Sequence, residues 1–289
     1  MMPATACGSL HRHVRVMHVM GMPVSLHVIA SEPPGSARMD AVVDRAASDC
    51  YEHLRDVDRV FSPFRHDSDV SLVRSGRREL ARADPSLAEV KDACRAARLA
   101  TGGLFDAGEG REWDPVGYVK GWAVERAHRE HLAVLPERTG SVVACGLNAG
   151  GDMQLSSSEE SGWCWRVGIA DPFRPGAVLG VVEVTDGAVA TSGIAEKGDH
   201  IRDPRTGAAA TTIASATVVA ASLTTADVWA TAAVVAGIDD LSWITRARTR
   251  SGVIVGRDGR IRRWAGPAEV EVMRPPVVPR PDDLPCAVA

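Results

Sequence analysis

An α+β fold is what the 289 residues predict. Three observations carry that expectation. Stretches rich in β-branched residues read as strands, and others place apolar residues at helical spacing. The two kinds do not alternate strictly, as a βαβ fold requires. No segment repeats at a fixed period and no clean linker divides the chain.

Taken in order, 14–29 surrounds a Gly21-Met22-Pro23 break and predicts two strands meeting at a turn. A Pro/Gly/Ser stretch, 31–36, leads into a helix over 39–61, with Val43, Ala46, Ala47, Cys50, Leu54, Val57 and Phe61 on one face. Asp84-Pro85 starts a second helix as N-cap and first-turn proline, and Thr101-Gly102-Gly103 ends it. A third helix is expected over 118–132. Residues 142–155 read as two strands joined at Asn148-Ala149-Gly150-Gly151-Asp152. Further strands are expected at 165–170, 178–184, 188–191 and 216–221, then an apolar helix at 223–236. Asp258-Gly259 between Val253-Ile254-Val255 and 260–264 signals a hairpin. The proline-rich 275–285 reads as a loose tail.

A formal net charge of −4 with dispersed basic residues argues against a nucleic-acid partner, since a phosphate backbone needs a basic face. Arg260, Arg262 and Arg263 read as the solvent face of a strand. The six cysteines form no CxxC pair and read as buried apolar residues in a reducing compartment. The nine histidines form no HExxH motif and no i, i+4 pair, so their spacing predicts no zinc site. His11, Arg12, His13, Arg15 and His18 interrupt any signal-peptide core within 1–30, and no run approaches the ~20 apolar residues of a membrane span. The cytoplasm is therefore expected, with no membrane partner.

Five patches concentrate the chemistry, and each has a plain structural reading beside the functional one. Thr101 to Asp106 reads first as a helix C-cap, although its glycines also let backbone approach a flat ligand. Asp114 to Ala123 begins a helix whose free N–H groups suit phosphate oxygens, with Lys120 as a point charge; alternatively Asp114 simply caps it. Gly117 and Gly121 are unfavourable at a helix start and tilt the reading towards function. Asn148 to Asp152, taken alone, is an ordinary glycine hairpin. Ala190 to Gly193 precedes Gly198 to Gly207, in which Asp203-Pro204-Arg205-Thr206-Gly207 is turn chemistry. His200 stands there among hydroxyl, glycine and acid residues. Finally, Asp227 and Thr231 are i, i+4 on an otherwise apolar helix. An ionised aspartate there is costly unless paired or bound to a metal, and hard oxygen donors suit Mg²⁺. The alternative is a helix-start aspartate with a core-facing threonine.

In this order and spacing the patches resemble the FAD:protein FMN transferase (ApbE-type) family. The likeness runs from Met20-Gly21-Met22 to Gly237 and includes Phe61 to Asp69 and the His200 to Gly207 run. It implies an α+β flavin transferase domain over 1–270, with 271–289 as the tail, and FAD bound beside Mg²⁺. It further implies transfer of FMN to a threonine or serine of an acceptor flavoprotein, releasing AMP. Hydrolysis of FAD to FMN and AMP, or flavin binding without catalysis, are the other activities such a site allows. Residue by residue, Met20, Phe64, Leu104, Phe105, Asp106 and Asp114 match flavin-binding positions, and Thr191, Ser192 and Gly193 a loop lining the ligand. Asp227, Thr231 and the Gly117 carbonyl match magnesium ligands, His200 a histidine beside the reacting pyrophosphate, and Lys120 the lysine of the helix-start motif. Asp227 and Lys120 thus join His200 as candidate catalytic residues. Met22, Phe64 and the Ile194-Ala195 pair depart from common family residues at positions that touch flavin stacking.

Overall fold

The computed structural model describes residues 9–108, 113–193 and 201–269. Its framework is a nine-stranded sheet in the order β1-β2-β3-β4-β7-β8-β9-β10-β11, with every neighbouring pair antiparallel. The strands are β1 His11–Val19, β2 Met22–Ala30, β3 Val142–Ala149, β4 Asp152–Ser157, β7 Gly187–Gly193, β8 Ile213–Ala220, β9 Ser251–Gly256, β10 Ile261–Ala265 and β11 Ala268–Glu269. A separate hairpin comprises β5 Trp165–Ala170 and β6 Val178–Val184. The α+β expectation holds.

Among the described residues seven α-helices accompany the strands: α1 Ala37–Phe61, α2 Asp69–Arg74, α3 Pro85–Thr101, α4 Val116–His131, α5 Leu135–Thr139, α6 Leu223–Ala236 and α7 Ile244–Ala247. The expected helices and strands match to within a few residues. The short α2, α5 and α7 were not expected, because four to six residues carry too little periodicity to read. Capping is as anticipated for α3: Asp84 accepts a hydrogen bond from the Ser86 N–H, and Gly102 closes the helix at φ 65°. Among the described residues no helix is long and apolar enough to cross a membrane.

Strand alternation divides the core between two faces of the sheet. Leu26, Val28 and Leu147 join the large core with Val43, Cys50, Leu54, Ala123, Ala127 and the apolar side of α6. On the other face Ile29, Ala144, Met153, Leu155 and Val189 pack against Trp165 and Val167 of the hairpin. Arg262 and Trp264 of β10 lie on one face, and Trp264 is buried. The basic cluster therefore does not form a single solvent face. Instead Arg262 donates to the Ile238 carbonyl and Arg260 pairs with Asp239 and Asp258.

Pairing register brings distant segments to one end of the sheet. Val19 opposite Met22 leaves a two-residue turn, Met20-Gly21, and Ala149 opposite Asp152 leaves Gly150-Gly151. All four turn residues have positive φ, the mirror-image turn that suits strand twist. Val24 pairs with Ala149, Met153 with Val189 and Ser192 with Ala216, so Met20, Asp152 and Thr191 to Gly193 share that end.

Candidate active site

The site forms where α4 and α6 meet this sheet end. The start of α6 is fixed from three sides. Ser222 caps it through the Thr225 N–H, the Gln154 side chain of β4 accepts from the Leu223 N–H at 2.8 Å, and Glu125 of α4 accepts from the Thr224 N–H at 3.0 Å. These bonds satisfy orphan donors of the first turn and set the rotation of the helix. Behind it, Trp229 stacks on Trp243 at 5.5 Å between ring centroids, and Trp243 meets Trp264 edge-on. Asp227, one turn in, consequently faces α4 and the sheet.

Gly121 is the residue that α4 turns to α6. A β-carbon there would lie 3.1 Å from the Leu223 carbonyl oxygen and 3.2 Å from Asp227 Oδ2, so the helices approach closely because this position has no side chain. The glycine that reads as a poor helix former has a packing reason. Gly193 is comparable on the sheet side, since a β-carbon there would stand 2.4 Å from the Ala214 carbonyl oxygen.

Two buried carboxylates converge on a single ammonium. Lys120 Nζ forms an ion pair with Asp152 Oδ2 and lies 3.7 Å from Asp227 Oδ1. Asp152 also accepts a 2.8 Å hydrogen bond from the Thr191 N–H, tying β4 to β7. Asp227 is 4% exposed, and its Oδ2 has no hydrogen-bond partner among the described residues. Burial pushes its carboxyl well above the usual carboxylate range; Lys120 opposes that shift and Asp152 reinforces it. With Asp227 ionised, two carboxylates face one ammonium and leave a surplus negative charge in a desolvated place. Thr231, one turn after Asp227, shares a 3.1 Å hydrogen bond with Ser192, and Thr191 shares one of 2.8 Å with Thr217.

The structure thus brings together Lys120, Asp227, Thr231, Thr191, Ser192 and Gly193, with Gly117 one helical turn before Gly121 on α4. Asp152, read from sequence as part of a plain hairpin, belongs to the constellation. The hairpin is real, with Asn148 accepting from the Gly151 N–H, but its last residue is a buried acid. A buried-acid signal was available only from spacing to Lys120, which sequence does not show. Lys120 itself lies against carboxylates, not at an open helix start.

The other expected ligand-binding residues stand differently. Met20 is half-buried at φ 54°, a strained value for a non-glycine residue and one found preferentially at functional sites. Phe64 is 96% exposed on the loop after α1. Leu104 and Phe105 are buried, and the Phe105 ring packs 6.5 Å from that of Tyr118. Asp106 pairs with Arg98 and accepts from the Gly108 N–H. Asp114 stands one residue ahead of the Pro115 N-cap of α4 and accepts from the Val116 N–H at 3.1 Å, so it binds the first turn without being the cap residue. His200 lies outside the described residues, as do 271–289.

Asp227 offers an unpartnered buried carboxylate oxygen and Thr231 a hydroxyl one turn away, hard oxygen donors suited to Mg²⁺, and the excess of carboxylate over ammonium favours a cation. They fit such an ion.

Comparison with known proteins agrees with this fold. Residues 107–255 match the sequence model of the ApbE family. An ApbE protein crystal structure from Thermotoga maritima superposes with a TM-score of 0.70 at 22% identity, covering 86% of this chain and 96% of that one. A flavin transferase ApbE from Vibrio cholerae gives 0.68 at 19% identity, covering 89% and 98%. The apo form of a flavinyl transferase ApbE from Pseudomonas stutzeri gives 0.67 at 18%, covering 88% and 94%. No curated protein matches the sequence.

Proposed function

This chain belongs to the ApbE family, and we propose that it transfers the FMN half of FAD to a serine or threonine hydroxyl of an acceptor flavoprotein, in a Mg²⁺-dependent reaction that releases AMP. The observation that carries the reading is the pair of buried carboxylates, Asp152 and Asp227, sharing one ammonium with Asp227 Oδ2 left unpartnered.

Asp227, Thr231 and the Gly117 carbonyl are the residues that would hold Mg²⁺, which when bound neutralises charge on the FAD pyrophosphate during phosphoryl transfer. Lys120 balances Asp152 and Asp227 and holds both carboxylates in register. Ser192 orients the Thr231 hydroxyl, and the Asp152 bond to the Thr191 N–H fixes the strand end that carries Ser192. Met20 and Phe64, with the 104–106 segment and Asp114, are the proposed flavin and adenylate contacts. His200 is proposed to take the proton of the attacking hydroxyl as its oxygen bonds to the FMN phosphorus and AMP leaves. Residues 1–270 constitute the transferase domain in this reading, with 271–289 as a tail. We place its work in the cytoplasm, where the free buried thiols Cys50, Cys94 and Cys145 stay reduced; fractionation of native cells tests that placement.

The activity is tested by mixing purified protein with FAD and Mg²⁺, with and without proteins of its host, and following AMP, free FMN and protein-bound FMN by mass spectrometry. Covalent FMN on a serine or threonine of an acceptor, with matching AMP, is the expected result. Free FMN and AMP without any acceptor identifies a pyrophosphatase instead. Neither product identifies a flavin-binding protein.

A further inference from the structure

A second group of metal-ligating side chains lies far along α4 from the acids just described. His53 of α1 stands beside Glu130 and His131 at the end of α4. One ligand atom of each lies within 4.8 Å of the others. His53 Nδ1 is 3.6 Å from Glu130 Oε2, and the two imidazoles meet edge-on with centroids 5.6 Å apart. The rise of an α-helix puts residues 130 and 131 about 15 Å along the axis from Lys120, so this cluster is separate from the Asp227 site.

We propose that His53, Glu130 and His131 form a site for one divalent transition-metal ion, Zn²⁺ being the best match, which clasps α1 to the C-terminal end of α4. Three features support it. The donor set, two imidazoles and a carboxylate, is one that Zn²⁺ takes with a water in the fourth position, and it differs from the all-oxygen set around Asp227. His53 Nδ1 faces Glu130 Oε2 at 3.6 Å and the other ring nitrogen, Nε2, is buried with no hydrogen-bond partner, so among the described residues the imidazole is not held by a hydrogen bond. The scaffold is also rigid: Cys50, one turn before His53, contacts the Ala127 carbonyl across the same helix pair at 3.8 Å. Ligand atoms around a tetrahedral zinc stand about 3.4 Å apart, so the cluster closes with side-chain rotations of roughly 1 Å and no helix movement.

Neighbouring charges set the electrostatics. Arg126 donates to Glu130 Oε1 at 2.9 Å, Arg129 lies 3.8 Å from the same oxygen, and Asp56 acts on His53 from its own helix. Glu130 Oε2, the oxygen facing His53, is the one left for the ion. Sequence spacing missed the cluster because its histidines stand on two different helices, 78 positions apart in the chain.

The test is calorimetric titration of the full-length protein with Zn²⁺ in excess Mg²⁺, alongside thermal melts. One saturable Zn²⁺ site is expected, with Tm raised by about 5 °C when zinc stands ~100-fold above its Kd. His131→Gln and Glu130→Gln, whose side chains are not buried, should each fold normally, weaken binding at least ~10-fold and cut the Tm shift to about half or less. His11→Gln should bind zinc as the wild type does. Absence of a saturable site in the wild type, or unchanged binding in both His131→Gln and Glu130→Gln, overturns the proposal. These readouts do not involve flavin transfer, so their failure is distinct from failure of the activity proposed above.

Discussion

Gly121 and Asp227 face one another across two helices, so close that a β-carbon on Gly121 would sit 3.2 Å from both Cβ and Oδ2 of the aspartate. Gly121→Ala sets two effects against each other. Alanine gains about 1 kcal/mol of helix propensity, while crowding a tight contact costs about 1–3 kcal/mol. We predict a Tm within a few degrees of wild type but a raised Mg²⁺ requirement for turnover, because Asp227 must shift. Unaltered Mg²⁺ dependence would separate this contact from the site.

Asp227→Asn removes the charge while keeping the shape. Since an ionised carboxylate is itself costly when buried, the fold should survive, with Tm unchanged or higher. Activity should fall more than ~100-fold, about 3 kcal/mol at the transition state, with partial recovery at raised Mg²⁺. A lowered Tm with turnover intact would show that Asp227 serves structure alone.

Lys120→Met leaves Asp152 and Asp227 facing each other without their shared cation. We predict a loss of about 2–3 kcal/mol in denaturant-measured stability, below the cost of breaking a fully buried pair because Lys120 is partly open to solvent. Adding Asp152→Asn should restore much of that loss. A double variant no more stable than Lys120→Met would contradict the coupling.

Acid stability should depend on His128. Burial lowers its pKa from 6.5 to about 4, and its ring lies 3.3 Å from the Cys145 carbonyl oxygen and 3.2 Å from Ser156 Oγ. The unfolded chain takes up this proton below about pH 6.5 while the folded chain resists it. Stability is therefore complete above that value and declines as pH falls towards 4, by about 3 kcal/mol in total from this residue. His27, also lowered to about 4 by burial and Arg12, adds in the same direction. Chemical denaturation of His128→Gln at pH 7.5 and pH 5 should show a flatter dependence than wild type; an equal slope would remove His128 as its source.

Phe64 is almost wholly exposed and contributes little to the fold. Phe64→Ala should leave Tm unchanged while weakening FAD binding roughly 3- to 10-fold, about 1 kcal/mol of aromatic contact. Unchanged affinity in calorimetry would exclude it from the flavin contacts.

Long elements were legible because their signals are local. The face of α1 that runs through Val43, Cys50 and Leu54 is buried as its period implies, and Asp84-Pro85 and Gly102 bound α3 by capping chemistry that acts within a few residues. The i, i+4 spacing of Asp227 and Thr231 likewise needs only a helix to put both on one side. Other features depend on distances between segments far apart in the chain. That Asp152 meets Lys120 follows from strand register and from the absence of a side chain at Gly121, which lets α4 settle against α6. That His53 meets His131 follows from the packing of α1 on α4. Periodicity and capping are properties of neighbouring residues, so the sequence by itself determined the long helices, the glycine turns and the acid-and-hydroxyl pair on α6. Charge balance in the site and the metal-ligating cluster required tertiary structure, because electrostatic pairing is decided by ångström-scale proximity that only the packed chain defines.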